Sequence, residues 1–306
     1  MIDSPDNAAA VSLRPPRPAE AEAIQAIWEA SYSVDDPAGF SRGGWSVSAW
    51  STDHRVLVRT GRLVGLAAVR AEAAPDGAMP ARVALAPDAR EPLLASMIVK
   101  SAVELVTAAD GRLVRLFLPD RADWAVTAAE ASGFRPVRTI AQMLLPADAV
   151  TPPLGSIEGV RVRSMQADED GLVLEALNRA WAGTWNFVPI APAMLAADLH
   201  GQRPGMLLGI DDEGAIIGTC HAMFALDDRN PDGQPRAWIS NLTVDPSQRG
   251  RGLARHLLAA AIADLRRRGA TSITLGVDAD NPAPFKLYQS VGFEIQTRVT
   301  AWDRAA

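Results

Sequence analysis

Apolar and polar positions in the second half of the chain alternate with two different periods, and the switches between them mark out an ordered series of elements. A strand over 160–163 and a helix over about 167–182 come first, followed by an irregular proline-rich stretch. Strands near 206 and 215 and a strand over 236–244 come next. The following helix carries Leu253, Leu257, Leu258, Ala261, Ile262 and Leu265 on one face, and Arg266 to Arg268 with Gly269 end it. A strand, a helix opened by Asn281-Pro282 and stopped at Gly292, and a last strand complete the series.

The same order occurs twice. "EASGFRPVRTIAQMLL" and "QSVGFEIQTRVTAWDR" each place a Gly-Phe between a helix and a strand, with Gly133 and Gly292 separated by 292 − 133 = 159 residues. Upstream of each lies a hairpin, "VLVRTGRLVGLAAV" and "LLGIDDEGAIIGTCHAM". Two equivalent domains are therefore expected, 1–150 and 151–306, joined near "PADAVTPPLGS". Each is expected to be α/β (α+β), a mixed, mostly antiparallel sheet flanked by helices.

Within the strand "WISNLTV", strict alternation puts Trp238, Ser240, Leu242 and Val244 on one face and Ile239, Asn241 and Thr243 on the other. It runs straight into "DPSQRGRGLA" and a helix start. Glycines in that turn let backbone N–H groups converge where the helix dipole is positive, and Arg249 and Arg251 add charge, an environment suited to a pyrophosphate. No Lys-Ser or Lys-Thr pair follows, and the three-glycine dinucleotide spacing is missing, so nucleotide hydrolysis and hydride transfer are set aside.

Arg249, Gly252 and Ala254 instead fit the Gln/Arg-x-x-Gly-x-Gly/Ala signature of the GNAT acetyltransferase superfamily, which the chain resembles. "DADNPAPFKLYQSVGFE" is similar to a second family region, with Asn281, Tyr288, Gly292 and Phe293 at matching places and an unusual Pro284. A tandem arrangement whose motifs lie in the second half resembles the mycothiol synthases, although Trp238 stands where those enzymes carry an acidic residue.

The resemblance implies acetyl-CoA as acyl donor, held by the main chain at Leu242, Thr243 and Val244, by Arg249, Gly250, Arg251, Gly252, Leu253 and Ala254, and by Asn281 and Lys286. It implies that Tyr288 protonates the departing thiolate, with packing as its other possible role. His221, in an apolar strand, is a candidate base or a hydrogen-bonded core residue. Asp278, Asp280 or a water relay are alternatives. Trp181, Trp185, Phe187 and Trp238 are candidates for an aromatic acceptor site or for ordinary core.

In the first copy the place of Tyr288 falls on Ala129 and that of Asn281 on Ala122, and "APDAREPLLASM" replaces the glycine loop. Glu91 adds negative charge there and Pro92 removes a donor, so this copy reads as degenerate and supporting.

Composition narrows the function further. At 306 residues, 48% hydrophobic and 22% charged, the chain can bury two cores. A net charge of −6 opposes a broad nucleic-acid surface. The single cysteine, Cys220, excludes an internal disulfide, no apolar run approaches the roughly 20 residues of a bilayer span, and a cytoplasmic protein is expected. The leading expectation is an N-acyltransferase acetylating a small-molecule amine by direct transfer in a ternary complex, without metal or covalent enzyme intermediate. The alternatives are a GNAT-fold enzyme taking carrier-protein-bound or malonyl thioesters, for transfer or decarboxylation, and a non-catalytic CoA-binding module. Acceptor identity, acyl length and oligomeric state stay open.

Overall fold

A computed structural model describes residues 10–36, 54–70, 72–150, 153–229 and 235–306, with main chain only at 225–229 and 235. Thr151 and Pro152, in the expected linker, lie outside the described residues. In chain order come β1 (Val11–Arg14), α1 (Ala21–Asp35), β2 (His54–Arg59), β3 (Arg62–Val69), β4 (Ala78–Leu85), α2 (Pro92–Ala108), β5 (Leu113–Pro119), α3 (Asp123–Ala131) and β6 (Arg135–Leu145). These are followed by β7 (Arg161–Ser164), α4 (Asp170–Trp181), α5 (Pro192–Leu199), β8 (Met206–Ile210), β9 (Ile216–Arg229), β10 (Pro235–Val244), α6 (Leu253–Arg267), β11 (Ile273–Asp278), α7 (Pro282–Ser290) and β12 (Glu294–Ala305). Among the described residues the second series repeats the first, and it places a helix in the stretch expected to be irregular; residues 37–53, between α1 and β2, lie outside the described residues. Pro192 opens that helix, α5, at a position where a missing N–H costs nothing, so a proline-rich composition concealed it.

The chain divides into two compact units, Met1–Ala141 with Thr297–Ala306, and Gln142–Gln296. A division at 150 follows the sequence; the compact units differ from it because β12 runs antiparallel along β5, from Val299 opposite Pro119 to Ala305 opposite Leu113. In the first unit the strand order is β1-β2-β3-β4-β5-β12. In the second, β6 takes the corresponding place beside β11, in the order β6-β11-β10-β9-β8-β7. Among the described registers β4–β5 and β10–β11 are parallel and the others antiparallel.

Each sheet is covered on both faces. In the first unit α1 packs Ile24, Ile27, Trp28 and Tyr32 on one face, while α2 and α3 cover the other with Leu94, Ile98, Val106 and Ala129. In the second, Val173, Leu177, Leu195 and Leu199 of α4 and α5 pack on Met206, Leu208 and Ile210 of β8. The opposite face receives α6, which sits so close that a Cβ on Gly218 would lie 2.9 Å from both Leu257 Cδ1 and the Thr243 carbonyl. Among the described residues no helix is long and apolar enough to cross a membrane.

Arg115 of β5, 2% exposed, clamps the end of the first unit's sheet. Its Nε and Nη2 donate to Asp303 of β12 at 2.7 and 2.6 Å, and Nη2 also donates to Asp76 at 2.8 Å. Arg115→Leu is expected to cost about 3 kcal/mol or more, because it leaves the Asp303 carboxylate without its buried counter-charge. Chemical denaturation measures this, and a loss below about 1 kcal/mol would show the clamp to be dispensable.

Candidate active site

The site begins with an irregularity in β10. Its register with β9 slips between Ile239 and Asn241, so Ser240 is an extra residue in the ladder. Beyond the bulge the faces exchange: Trp238, Asn241 and Thr243 lie opposite Met223, His221 and Thr219, while Ile239 and Leu242 lie opposite Ala222 and Cys220. This corrects the strict alternation expected for the strand. Side-chain bonds follow the new face, with Thr219 Oγ1 2.8 Å from Thr243 Oγ1 and donating to Asn241 Oδ1 at 3.2 Å.

The bulge also separates two strands. Parallel pairing of β10 with β11 covers only Ala237–Ile239 against Ile273–Leu275, although both strands continue. From Ser240 to Val244 the described registers give β10 a partner in β9 only, so its other main-chain edge is open. Such an edge can accept an extended ligand as an added strand.

The open edge leads into the glycine loop. Asp245 caps a short 3-10 turn by accepting from the Ser247 amide at 2.9 Å and hydroxyl at 2.7 Å, and pairs with Arg179 Nε at 2.7 Å. The Ser247 hydroxyl and Arg179 hold its carboxyl down at about 2. Gly250 and Gly252 then adopt φ of +83° and +84°, and Gly252 is the N-cap of α6. A Cβ on either glycine would meet nothing within 4 Å. The glycines thus serve backbone conformation, and the space over them is open. The first amides of α6 face that space without intrahelical acceptors, a cradle for an anion.

The arginines of the loop point elsewhere. Arg249 turns back, Nε donating to the Val244 carbonyl at 3.4 Å and Nη2 to the Ala180 carbonyl at 3.3 Å. Arg251 donates to Gln248 Oε1 and, at 3.4 Å, to the Glu158 carbonyl. Arg249 therefore ties the loop to the ends of β10 and α4.

Tyr288 of α7 has its ring buried, 7% exposed, with its edge against Phe293 at 5.8 Å. Burial pushes the phenol above its usual range, and proximity to Cys220 adds to the shift. The Cys220 thiol, in the same surroundings, is also pushed up by burial. Asn281 occupies the N-cap position of α7 but makes no capping bond with its side chain, and both it and Lys286 are exposed. Asp278 Oδ1 accepts from the Asp280 amide at 3.0 Å, an intra-turn bond that engages one of the alternative bases.

On the α4–α5 face lies a cavity of about 210 Å³. His221, 1% exposed, lines it with Ser240, Asn241, Asp198 and Trp181. Its Nδ1 is 3.0 Å from Ser240 Oγ, and its Nε2 has no hydrogen-bond partner among the described residues. Burial pushes its pKa down, opposed by the nearby Gln202 main chain and by Asp198, so the ring is neutral at pH 7.

A family model for the acetyltransferase (GNAT) family matches residues 172–293, which span the glycine loop, the bulge and Tyr288. The chain is 30% identical over 233 residues to a mycothiol acetyltransferase of Acidothermus cellulolyticus, covering 72% of this chain and 69% of that one. The chain belongs to the GNAT acetyltransferase family. A mycothiol acetyltransferase of Propionibacterium freudenreichii is 31% identical over 171 residues, 53% of this chain and about half, 52%, of that relative's length. Among solved structures, a GCN5-related N-acetyltransferase from Sphaerobacter thermophilus has a TM-score of 0.75 at 22% identity, covering 96% of this chain and 95% of that one. A tandem GNAT protein from the clavulanic acid biosynthesis pathway gives 0.66 at 16% identity, covering 97% and 98%. The fold is thus two GNAT units in tandem.

The two GNAT units can be compared position by position at the 159-residue spacing. Arg249 corresponds to Arg90, which also reaches back to the first helix, donating to the Ser31 carbonyl at 3.2 Å and Asp35 at 2.9 Å. The arginine is shared by both units and anchors the loop in each. Gly250, Arg251 and Gly252 correspond to Glu91, Pro92 and Leu93, and none of these three has a positive φ. Trp124, at the start of α3, donates to the same Asp35 at 3.1 Å, so side chains of the first unit cross-link its own loop, α1 and α3.

Of the residues singled out in the sequence, Trp181, His221 and the β10 main chain meet at the bulge. Trp185, Phe187 and Trp238 are partly buried and do not line the cavity. Sequence reasoning missed Ser240, Asn241 and Asp198. The first two are concealed by the bulge, and Asp198 belongs to α5, which a proline-rich composition disguised as irregular chain.

Proposed function

We propose that the second half of this chain, residues 151–306, is an acetyl-CoA-dependent N-acetyltransferase that acetylates the amine of a small metabolite directly in a ternary complex, and that residues 1–150 support it without binding donor. The observation that carries this reading is the open edge of β10 at residues 240–244 leading into the amide cradle of Gly250 and Gly252. An extended pantetheine arm suits the first and a pyrophosphate suits the second. Asn281, at the N-cap of α7, and Lys286, on that helix, are both exposed and would bind the rest of the donor. The relatives named as mycothiol acetyltransferases support acetyl transfer to a small-molecule acceptor.

In this mechanism a main-chain N–H beyond the bulge donates to the thioester oxygen and stabilises the oxyanion as the amine nitrogen bonds to the carbonyl carbon. His221 Nε2, unpartnered and neutral, takes a proton from the amine, directly or through water. The C–S bond then breaks, and Tyr288 gives its proton to the departing sulfur.

Full-length protein given acetyl-CoA and a panel of amines is expected to release free CoA thiol with at least one of them. Release only from carrier-bound or malonyl thioesters would replace the donor, and absence of release with retained CoA binding would make the protein a binding module. Calorimetric titration is expected to give one acetyl-CoA per chain, since Glu91, Pro92 and Leu93 replace the cradle in the first unit. Two equivalent sites would overturn the supporting role of that unit.

A further inference from the structure

We propose that the acceptor is a small monoamine with an apolar body, and that Asp198 is the specificity-determining residue that admits it as the ammonium ion. The inference rests on the acetyl-transfer reading above and concerns the cavity on the α4–α5 face. At about 210 Å³ it is smaller than the roughly 300–1,000 Å³ of sites for drug-sized ligands. Its walls are Leu177, Trp181, Ile190, Leu195 and Met206, so most of any occupant meets hydrocarbon.

The polar lining is sparse and partly engaged. Ser240 is bonded to His221 Nδ1, and Asn241 Oδ1 accepts from Thr219. Open to a ligand are the Asn241 Nδ2 and Trp181 Nε1 donors and the carboxylate of Asp198, the only charged side chain in the lining, which makes no ion pair among the described residues; His221 Nε2 is buried and without a partner. Asp198 acts on the His221 ring electrostatically, favouring a positive charge there. Arg268, which acts on the ring in the opposite sense, is paired with Asp264 at 2.9 Å and lies outside the lining. One anion in an otherwise uncharged lining matches one ammonium group, which Asp198 attracts; after it loses a first proton to water, His221, in the tautomer that leaves Nε2 unprotonated, takes the second as the amine attacks.

The same lining rejects other amines. A carboxylate or phosphate on the acceptor would meet Asp198 without any lining cation. An amino sugar would lose water from most of its hydroxyls against five apolar side chains, with only Asn241 Nδ2 and Trp181 Nε1 as uncharged N–H donors in return. The cavity thus selects by the acceptor's body as well as by its amine.

The test compares 2-phenylethylamine and isoamylamine with glucosamine and leucine, following CoA release by the full-length protein and by Asp198→Asn. Because Asp198 is exposed, the variant should fold normally. The monoamines should exceed glucosamine and leucine at least tenfold in kcat/KM. Asp198→Asn should raise their KM about tenfold with kcat nearly unchanged. A preference for glucosamine or leucine, or an unchanged KM in the variant, overturns the proposal while leaving acetyl transfer standing. Calorimetric binding of 2-phenylethylamine in the presence of free CoA separates the two claims. Binding that weakens about tenfold in the variant supports the assignment even if no amine is acetylated, and no binding overturns it.

Discussion

Tyr288→Phe is expected to lower turnover by about 10² to 10⁴ while leaving acetyl-CoA affinity nearly unchanged, the range typical of a lost general acid. The substitution removes one oxygen and keeps the ring, so the edge contact with Phe293 and the burial of the side chain survive. In water a phenol of pKa about 10 is a poor acid toward a thiolate of pKa about 8.5. Burial changes both partners. It pushes the phenol up, but it also pushes up the Cys220 thiol in the same surroundings, and a CoA thiolate leaving there would become more basic for the same reason.

The raised phenol also fixes the sign of the pH dependence. An acid must carry its proton to act, so any alkaline fall in turnover due to Tyr288 should lie above the ordinary tyrosine range, and the Phe variant should lack it. Pre-steady-state measurement of the chemical step distinguishes the outcomes. Near-full turnover in the variant would make Tyr288 a packing residue and leave the thiolate to water. A higher acceptor KM with unchanged kcat would mean that the hydroxyl positions the amine.

Much of this arrangement was legible in the sequence because it depends on local chemistry. A 159-residue spacing between Gly133 and Gly292 marks the repeat, and the pattern of Gly250, Gly252 and Leu253 marks a loop that must enter a helix with positive φ. Asn281-Pro282 and Gly292 bound α7 and so place Tyr288 on it. What was not legible depends on pairing between distant strands. Nothing in "WISNLTV" distinguishes Ser240 as an extra residue, because a bulge is defined by what its partner strand does. The pairing of β12 with β5 is of the same kind. Arg249 shows a different limit: its residue type suggested a phosphate ligand, whereas its side chain is engaged with two backbone carbonyls.

Gly252→Leu is expected to weaken acetyl-CoA binding by about 10²-fold or more while costing only about 1–2 kcal/mol of stability. The stability cost is that of a left-handed conformation for an L residue, since φ is +84° and the added Cβ meets no atom within 4 Å. The apolar face of α6, with Leu257, Leu258, Ile262 and Leu265 fully buried, is untouched. The affinity cost has a different origin, because the new side chain projects into the open space that the first α6 amides face. Losing two hydrogen bonds to a charged group, each worth about 1.5–3 kcal/mol, corresponds to at least about 10² in the dissociation constant. In the first unit Leu93 stands at the equivalent position in the repeat, 67% exposed, but inside α2, which starts at Pro92 with Glu91 as its N-cap, so a leucine side chain projects there without left-handed strain. Gly252→Ala separates the two effects. It bears the same backbone strain with one carbon instead of four, so it should lose the same stability and much less affinity. Titration of each variant with acetyl-CoA, set beside its urea midpoint, decides the matter. If Ala and Leu lose affinity equally and in step with stability, the glycine serves only the turn and the donor binds elsewhere.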